Sequence, residues 1–398
     1  MAEFDRPISQ KILDITNKKR SNLFTWRGQF SPELIETILK VYCLPNSVVL
    51  DPFAGSGTVL LEAGSFSLEA YGCDINPVAW IFGKIYELIN QPQKKELLSQ
   101  VRKILDKEFP IRILFDHEKE VECLPEKVSN VRDKLDKNAK EIFDILIILV
   151  DGEKSNITNE LIQSKFYELV KLIQNLPNSS KTIKAYLSDA RLLPISDNKI
   201  DFVVTSPPYI NVFNYHQNYR KAAEMLGWDL LKIAKSEIGS NRANRGNRFY
   251  TVVQYCLDIA ETLKELSRVC KKDARLVFVV GYESNVLGVP FYNADIIERI
   301  AIESGLYRKV LRQKRSFKNK FGKIIREDLI NFYNLKPELT IEFIDNVARE
   351  VAIDALKNAI SVVSSQNYKL LENSIGKVPY LERTPKLNLQ QIPTIKSL

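Results

Sequence analysis

The sequence predicts a doubly wound α/β fold interrupted by a helical insertion. Three observations carry that expectation. First, "SVVLDPFAGSGTVLLEAG" followed by "LEAYGCDINP" reads as strand, glycine turn, helix and strand, which is how such sheets begin. Second, strand character returns with "IKAYLSDA" and "KIDFVVTSPPY" after a long gap. Third, the gap, roughly residues 91 to 180, holds charged segments with helical spacing and almost no strand signal.

In chain order, "SPELIETILKVYC" (31 to 43) predicts a helix with Ser31 as N-cap and Pro32 in its first turn. An apolar strand (47 to 50) then reaches a glycine turn, and a helix starts at about Thr58. The next short strand ends at Asp74. Beyond the insertion come a helix at about 251 to 270, the strand "ARLVFVVG" (274 to 281), a helix at about 293 to 304, and strands around "YRKVLRQKR" and "EDLINFYNL". The expected organisation is a core in two parts, 1 to 90 and 183 to 334, an insertion at 91 to 182, and a partly flexible helical tail at 335 to 398.

Composition excludes several classes. The chain has 398 residues, 45% of them hydrophobic and 27% charged, as in ordinary soluble proteins. Its formal charge of +8 suits a polyanionic partner without identifying one. Five cysteines contain no CxxC pair and read as reduced thiols, and two histidines argue against a histidine-based metal site; no metal is expected. The amino terminus lacks a signal-peptide core, and the apolar run "IFDILIILV" is too short to span a bilayer. A cytoplasmic protein is expected.

The first glycine turn makes the cofactor argument. "DPFAGSGT" sets Asp51 at the end of the first strand, with Gly55 and Gly57 allowing a tight turn and close approach of a ligand. No lysine precedes Thr58, so the turn is not a phosphate-binding P-loop. Asp51 would repel a phosphate, which favours a cationic nucleoside such as S-adenosylmethionine. Asp74, 23 residues later, stands where a carboxylate grips ribose hydroxyls, and Asp189 in "YLSDA" ends a third candidate strand. A glycine turn alone is often a plain strand-to-helix connection, but three aligned carboxylates are a stronger pattern.

The second motif, "TSPPY", ends a buried strand on a rigid diproline corner. With the others it resembles the amino-directed DNA methyltransferases, which methylate cytosine N4 or adenine N6. "FSPELI" looks like their motif X, "DPFAGSGT" motif I, "GCDINP" motif II, "SDA" motif III and "TSPPY" the catalytic motif IV. The resemblance covers 25 to 90 and 183 to 334. It implies a Rossmann-like class I methyltransferase fold with a mixed, mostly parallel seven-stranded sheet. It also implies S-adenosylmethionine as cofactor, double-stranded DNA as substrate, and a cognate restriction endonuclease as partner in a restriction–modification pair.

By the same resemblance, Asp51 and the turn of Gly55, Ser56, Gly57 and Thr58 hold the methionine end, with Phe53 packed beside the cofactor. Asp74 takes the ribose and Asp189 the adenine amino group, while Ser31 and Pro32 lie near the carboxylate. Ser206 and a carbonyl of Pro207–Pro208 would accept the hydrogens of an exocyclic amine, freeing its lone pair for methyl transfer. Tyr209 would stack on an extruded base. None of the five cysteines follows a proline, which excludes the carbon-5 cytosine class. Serine at the head of the motif favours cytosine N4; adenine N6 and an RNA amine remain alternatives. So does, from another class, an inactive DNA-binding specificity subunit.

Two basic segments are candidate DNA surfaces. "EIGSNRANRGNRFY" (237 to 250) offers Arg242, Arg245 and Arg248. "YRKVLRQKRSFKNKFGKIIR" (307 to 326) carries nine Lys or Arg and no acid, with Arg312, Lys314, Arg315, Lys318 and Lys320 as candidate phosphate contacts. A solvated basic hairpin is the plainer reading of the second. Lys18, Lys19, Arg20 and Arg27 read as ordinary surface.

Overall fold

The computed structural model describes residues 5–15, 19–111, 120–153, 156–210, 214–240, 246–319 and 322–387. A one-turn helix, α1 (Gln10–Leu13), precedes α2 (Pro32–Tyr42), where Ser31 Oγ accepts the Leu34 N–H and Pro32 opens the first turn. β1 (Val48–Asp51), α3 (Thr58–Ser65) and β2 (Glu69–Asp74) form the first βαβ unit. α4 (Pro77–Glu87) follows, capped by Asn76, whose side chain accepts from Val78 N–H. The predicted insertion is four helices, α5 (Lys94–Glu108), α6 (Leu124–Lys134), α7 (Lys137–Asp151) and α8 (Asn159–Gln174).

The core resumes with β3 (Ile183–Leu187) and β4 (Ile200–Thr205), then the short helices α9 (Arg220–Met225) and α10 (Leu230–Ile233) and the long α11 (Tyr250–Val269). β5 (Cys270–Gly281) leads to a small hairpin, β6 (Ser284–Val286) and β7 (Val289–Phe291), absent from the sequence reading. α12 (Asn293–Glu303) and the hairpin β8 (Tyr307–Lys318) and β9 (Ile324–Asn334) complete the sheet, and α13 (Ile341–Asn358) and α14 (Ser365–Lys377) close the fold.

Seven strands join in the order β3-β2-β1-β4-β5-β9-β8. The first five pair in parallel, while β9 runs antiparallel to both β5 and β8. The chain winds outward from β1 through β2 to β3, then returns to the other side of β1 with β4. The reversal opens a crevice at the carboxyl ends of β1 and β4, where ligands bind in sheets of this kind. β1 is buried along its whole length, as a central parallel strand must be.

Each face of the sheet is covered. On one side Leu60 and Phe82 share a buried cluster with Val101, Phe143 and Phe166, so the insertion packs onto α4 as part of the core. On the other, Leu50, Phe278 and Ile330 pack with Leu257, Ile297 and Val351 of α11, α12 and α13. The tail expected to be partly flexible supplies buried Leu356 and Leu371, and residues 381–387 run back across the core. Residues 388–398 of that tail lie outside the described residues. Among the described residues, no helix is long and apolar enough to cross a membrane.

Candidate active site

The glycine turn and the diproline elbow meet at the crevice. Asp51 closes β1 and Thr205 closes β4; the Thr205 hydroxyl donates to Asp51 Oδ1 at 2.6 Å, which locks the two strand ends together. The Phe53 N–H donates to the same oxygen at 3.1 Å. Asp51 Oδ2 is buried without a partner among the described residues, and burial pushes this carboxyl up to about 7. That is the expected cost of enclosing an anion away from water. Asp51 therefore stands behind the crevice wall and pins its floor.

Next come the glycines. Gly55 (φ 51°) and Gly57 (φ 77°) occupy the left-handed region that only glycine enters freely. A Cβ on Gly57 would sit 2.3 Å from Tyr86 Cε2, so packing also demands glycine here. Tyr86 in turn donates its hydroxyl to Ser56 O at 2.9 Å. The Asn22 amide donates to Thr58 Oγ1 at 2.7 Å, fixing the start of α3.

Phe53, Gly55, Ser56, Thr58, Asp74 and Asp189 line one cavity with Ser206, Pro208 and Tyr209. Pro207 is buried behind the elbow, Gly57 behind the turn, and Ser31 and Pro32 beneath the start of α2. Asp74 accepts from Gly55 N–H at 2.9 Å with one oxygen and from Asn76 N–H at 2.8 Å with the other. Partly exposed at the wall, it keeps acceptor capacity for a ligand. Enclosure raises it to about 6, against the pull of these backbone donors.

At the elbow, Ser206 Oγ lies 3.2 Å from the Tyr209 hydroxyl. The Tyr209 ring rests on Gly281 of β5, where a Cβ would come within 2.8 Å of its Cε2. Gly239 (φ 73°) backs the elbow, since a Cβ there would lie 2.8 Å from the Tyr209 carbonyl oxygen. Two glycines thus hold the tyrosine in one position.

Asp189 departs from its expected role. Its Oδ1 accepts from Arg191 N at 3.0 Å and Arg191 Nε at 2.9 Å. Its Oδ2 accepts from Arg191 Nη2 at 2.6 Å and from Leu387 N at 3.2 Å. Arg191 also pairs with Asp258 at 2.7 Å and donates to the carbonyl of Thr384. This fully buried ion network belongs to the fold and leaves Asp189 no free acceptor position.

The basic candidates divide. Arg312 pairs with Asp295, Glu298 and Asp328, so its charge is engaged within the protein. Arg315 is 4% exposed, lies against Phe317 and faces Glu327, which likewise removes it from the surface. Lys314, Lys318 and Arg248 are exposed. Lys18, Arg242, Arg245 and Lys320 lie outside the described residues. Arg20 binds Glu36 and Glu62, whereas Arg27 lines the cavity, which the surface reading missed.

Sequence reasoning also missed Trp26 to Phe30, Tyr215 and the segment Ser236 to Ile238, all on the cavity wall. The signal for the first was their place just before the motif X helix. For the last it was Gly239, inside a segment read wholly as a DNA loop.

A family model described as DNA methylase matches residues 7–80. The chain is 23% identical to the Type II methyltransferase M.BsoBI of Geobacillus stearothermophilus, across 81% of this chain and 87% of that one. It is 26% identical to M.MvaI of Kocuria varians, across 68% and 78%. A shorter stretch, 26% of this chain and 19% of the other, is 34% identical to M.MjaII of Methanocaldococcus jannaschii. In the order of its motifs, the cavity that gathers them and these matches, the chain is similar to the amino-directed family of S-adenosylmethionine-dependent DNA methyltransferases.

Proposed function

We propose that the chain transfers a methyl group from S-adenosylmethionine to N4 of a cytosine extruded from double-stranded DNA, as the modification arm of a restriction–modification pair. The observation that carries this reading is the shared cavity: Ser206, Pro208 and Tyr209 face the same space as Asp74 and the glycine turn. The cavity fits the cofactor. Its wall bears acids, with buried Asp51 behind the turn, which suits a sulfonium and disfavours a phosphate.

When bound, the cofactor supplies an electrophilic methyl on a positive sulfur. The protein's task is to make a poor nucleophile attack in line. The Ser206 oxygen and an elbow carbonyl accept the two amine hydrogens, drawing the nitrogen out of conjugation with its ring. Tyr209, held by Gly281 and Gly239, presents a fixed ring for the extruded base. The Ser206–Tyr209 hydroxyl pair relays the proton that the methylated nitrogen sheds, each hydroxyl giving up its own proton as it takes one, to water as the final acceptor. Positioning does most of the work. Exposed Lys314, Lys318 and Arg248 supply phosphate contacts.

Serine at position 206 favours cytosine over adenine. Mass analysis of nucleosides after incubation of DNA with labelled cofactor decides between them. N4-methylcytosine is expected, and label on adenine alone overturns the cytosine assignment.

A further inference from the structure

We propose that Glu237, not Asp189, is the carboxylate that receives the adenine amino group of the cofactor; the proposal rests on the cofactor reading above. An ionised carboxylate offers about four acceptor positions. Those of Asp189 are filled by three donors of Arg191 and the Leu387 N–H. A ligand amine could bind Asp189 only by displacing part of a buried ion network.

Glu237 is in the opposite condition. It lies on the same cavity wall and is 4% exposed. Its Oε2 meets His216 Nδ1 at 2.9 Å, and His216 is itself buried, so the carboxylate is held in one rotation. Its Oε1 is buried and has no partner among the described residues. A buried carboxylate oxygen left without a donor is costly, and a ligand N–H removes that cost.

Position selects the donor. The neighbouring Ser236 carbonyl accepts from Arg191 Nη2 at 3.3 Å, which sets this segment beside Asp189 at the adenine end. Asp74 already offers acceptor capacity to the ribose hydroxyls. The amine is the donor left over.

Calorimetry on the full chain tests this with S-adenosylhomocysteine and S-inosylhomocysteine, which carries a 6-oxo group in place of the amine. The wild type should prefer the amino ligand by roughly 10- to 100-fold, the scale of a hydrogen bond to a charged group. Glu237→Gln should erase or invert that ratio, because its amide can donate to the oxo group. Asp189→Asn should leave the ratio unchanged. Should Glu237→Gln fail to fold, Glu237→Asp takes its place and should lower the ratio by drawing the oxygen back. Equal wild-type affinities, an unchanged ratio in the Glu237 variants, or a ratio lost in Asp189→Asn overturns the assignment. A wild type that binds neither ligand sinks the cofactor reading itself, so the two failures are distinguishable.

Discussion

Asp51 makes the stability of the unliganded protein depend on pH in an unusual direction. Burial raises its carboxyl from an ordinary 3.8 to about 7, so between these values the folded state holds a proton that the unfolded state releases. Stability from this group is complete below about pH 4 and is lost as the pH climbs through 7. The gap corresponds to about 4 kcal/mol, more than half of it lost between pH 5 and pH 8. Asp74, raised to about 6, adds a smaller loss of the same sign at lower pH. Urea unfolding of wild type and Asp51→Asn at several pH values reads the effect, with the asparagine oxygen still able to accept from Thr205 and Phe53. The wild type should weaken steeply toward pH 8 and the variant much less. Equal slopes would show that Asp51 is not the titrating group. A cationic ligand favours the ionised form, so S-adenosylmethionine should also bind more tightly at pH 8 than at pH 5.

Other substitutions test the remaining parts. Gly57→Ala should cost about 3 kcal/mol from its positive φ and the clash with Tyr86, while Gly376→Ala, with open space around it, should be neutral by the same denaturation assay. Arg191→Met should cost ~3–5 kcal/mol in unfolding free energy, since it strands Asp189 and Asp258 as buried unpaired charges. A loss below 1 kcal/mol would refute that network. Lys314→Ala with Lys318→Ala should lower the salt dependence of DNA binding by about two phosphate contacts, read from the slope of log affinity against log salt. Arg312→Ala should leave that slope alone and lower stability instead.

The features legible in the sequence were those encoded by neighbours along the chain. Ser31 and Pro32 start their helix, Gly55 and Gly57 make their turn, and the diproline elbow ends β4 where the residues require it. Features set by distant partners were not legible. Asp189 and Arg191 are two residues apart, but the network that consumes both includes Asp258 and the chain at 384 to 387. Arg312 looks like a free cation until β9 and α12 bring Asp328, Asp295 and Glu298 to it. Glu237 opens a basic segment, so charge counting assigned it to DNA. Its place on the cavity wall comes from Gly239 packing behind Tyr209, a contact between separate stretches of chain.

The central claim is that the diproline elbow activates an exocyclic amine beside a bound sulfonium. Single-turnover transfer of labelled methyl to DNA, quenched and resolved by nucleoside, tests it most directly when wild type is compared with Ser206→Ala. Label should appear on a cytosine amino nitrogen, and the variant should bind S-adenosylmethionine normally yet transfer roughly 100-fold more slowly. Equal rates, or label on cytosine carbon 5, would contradict it.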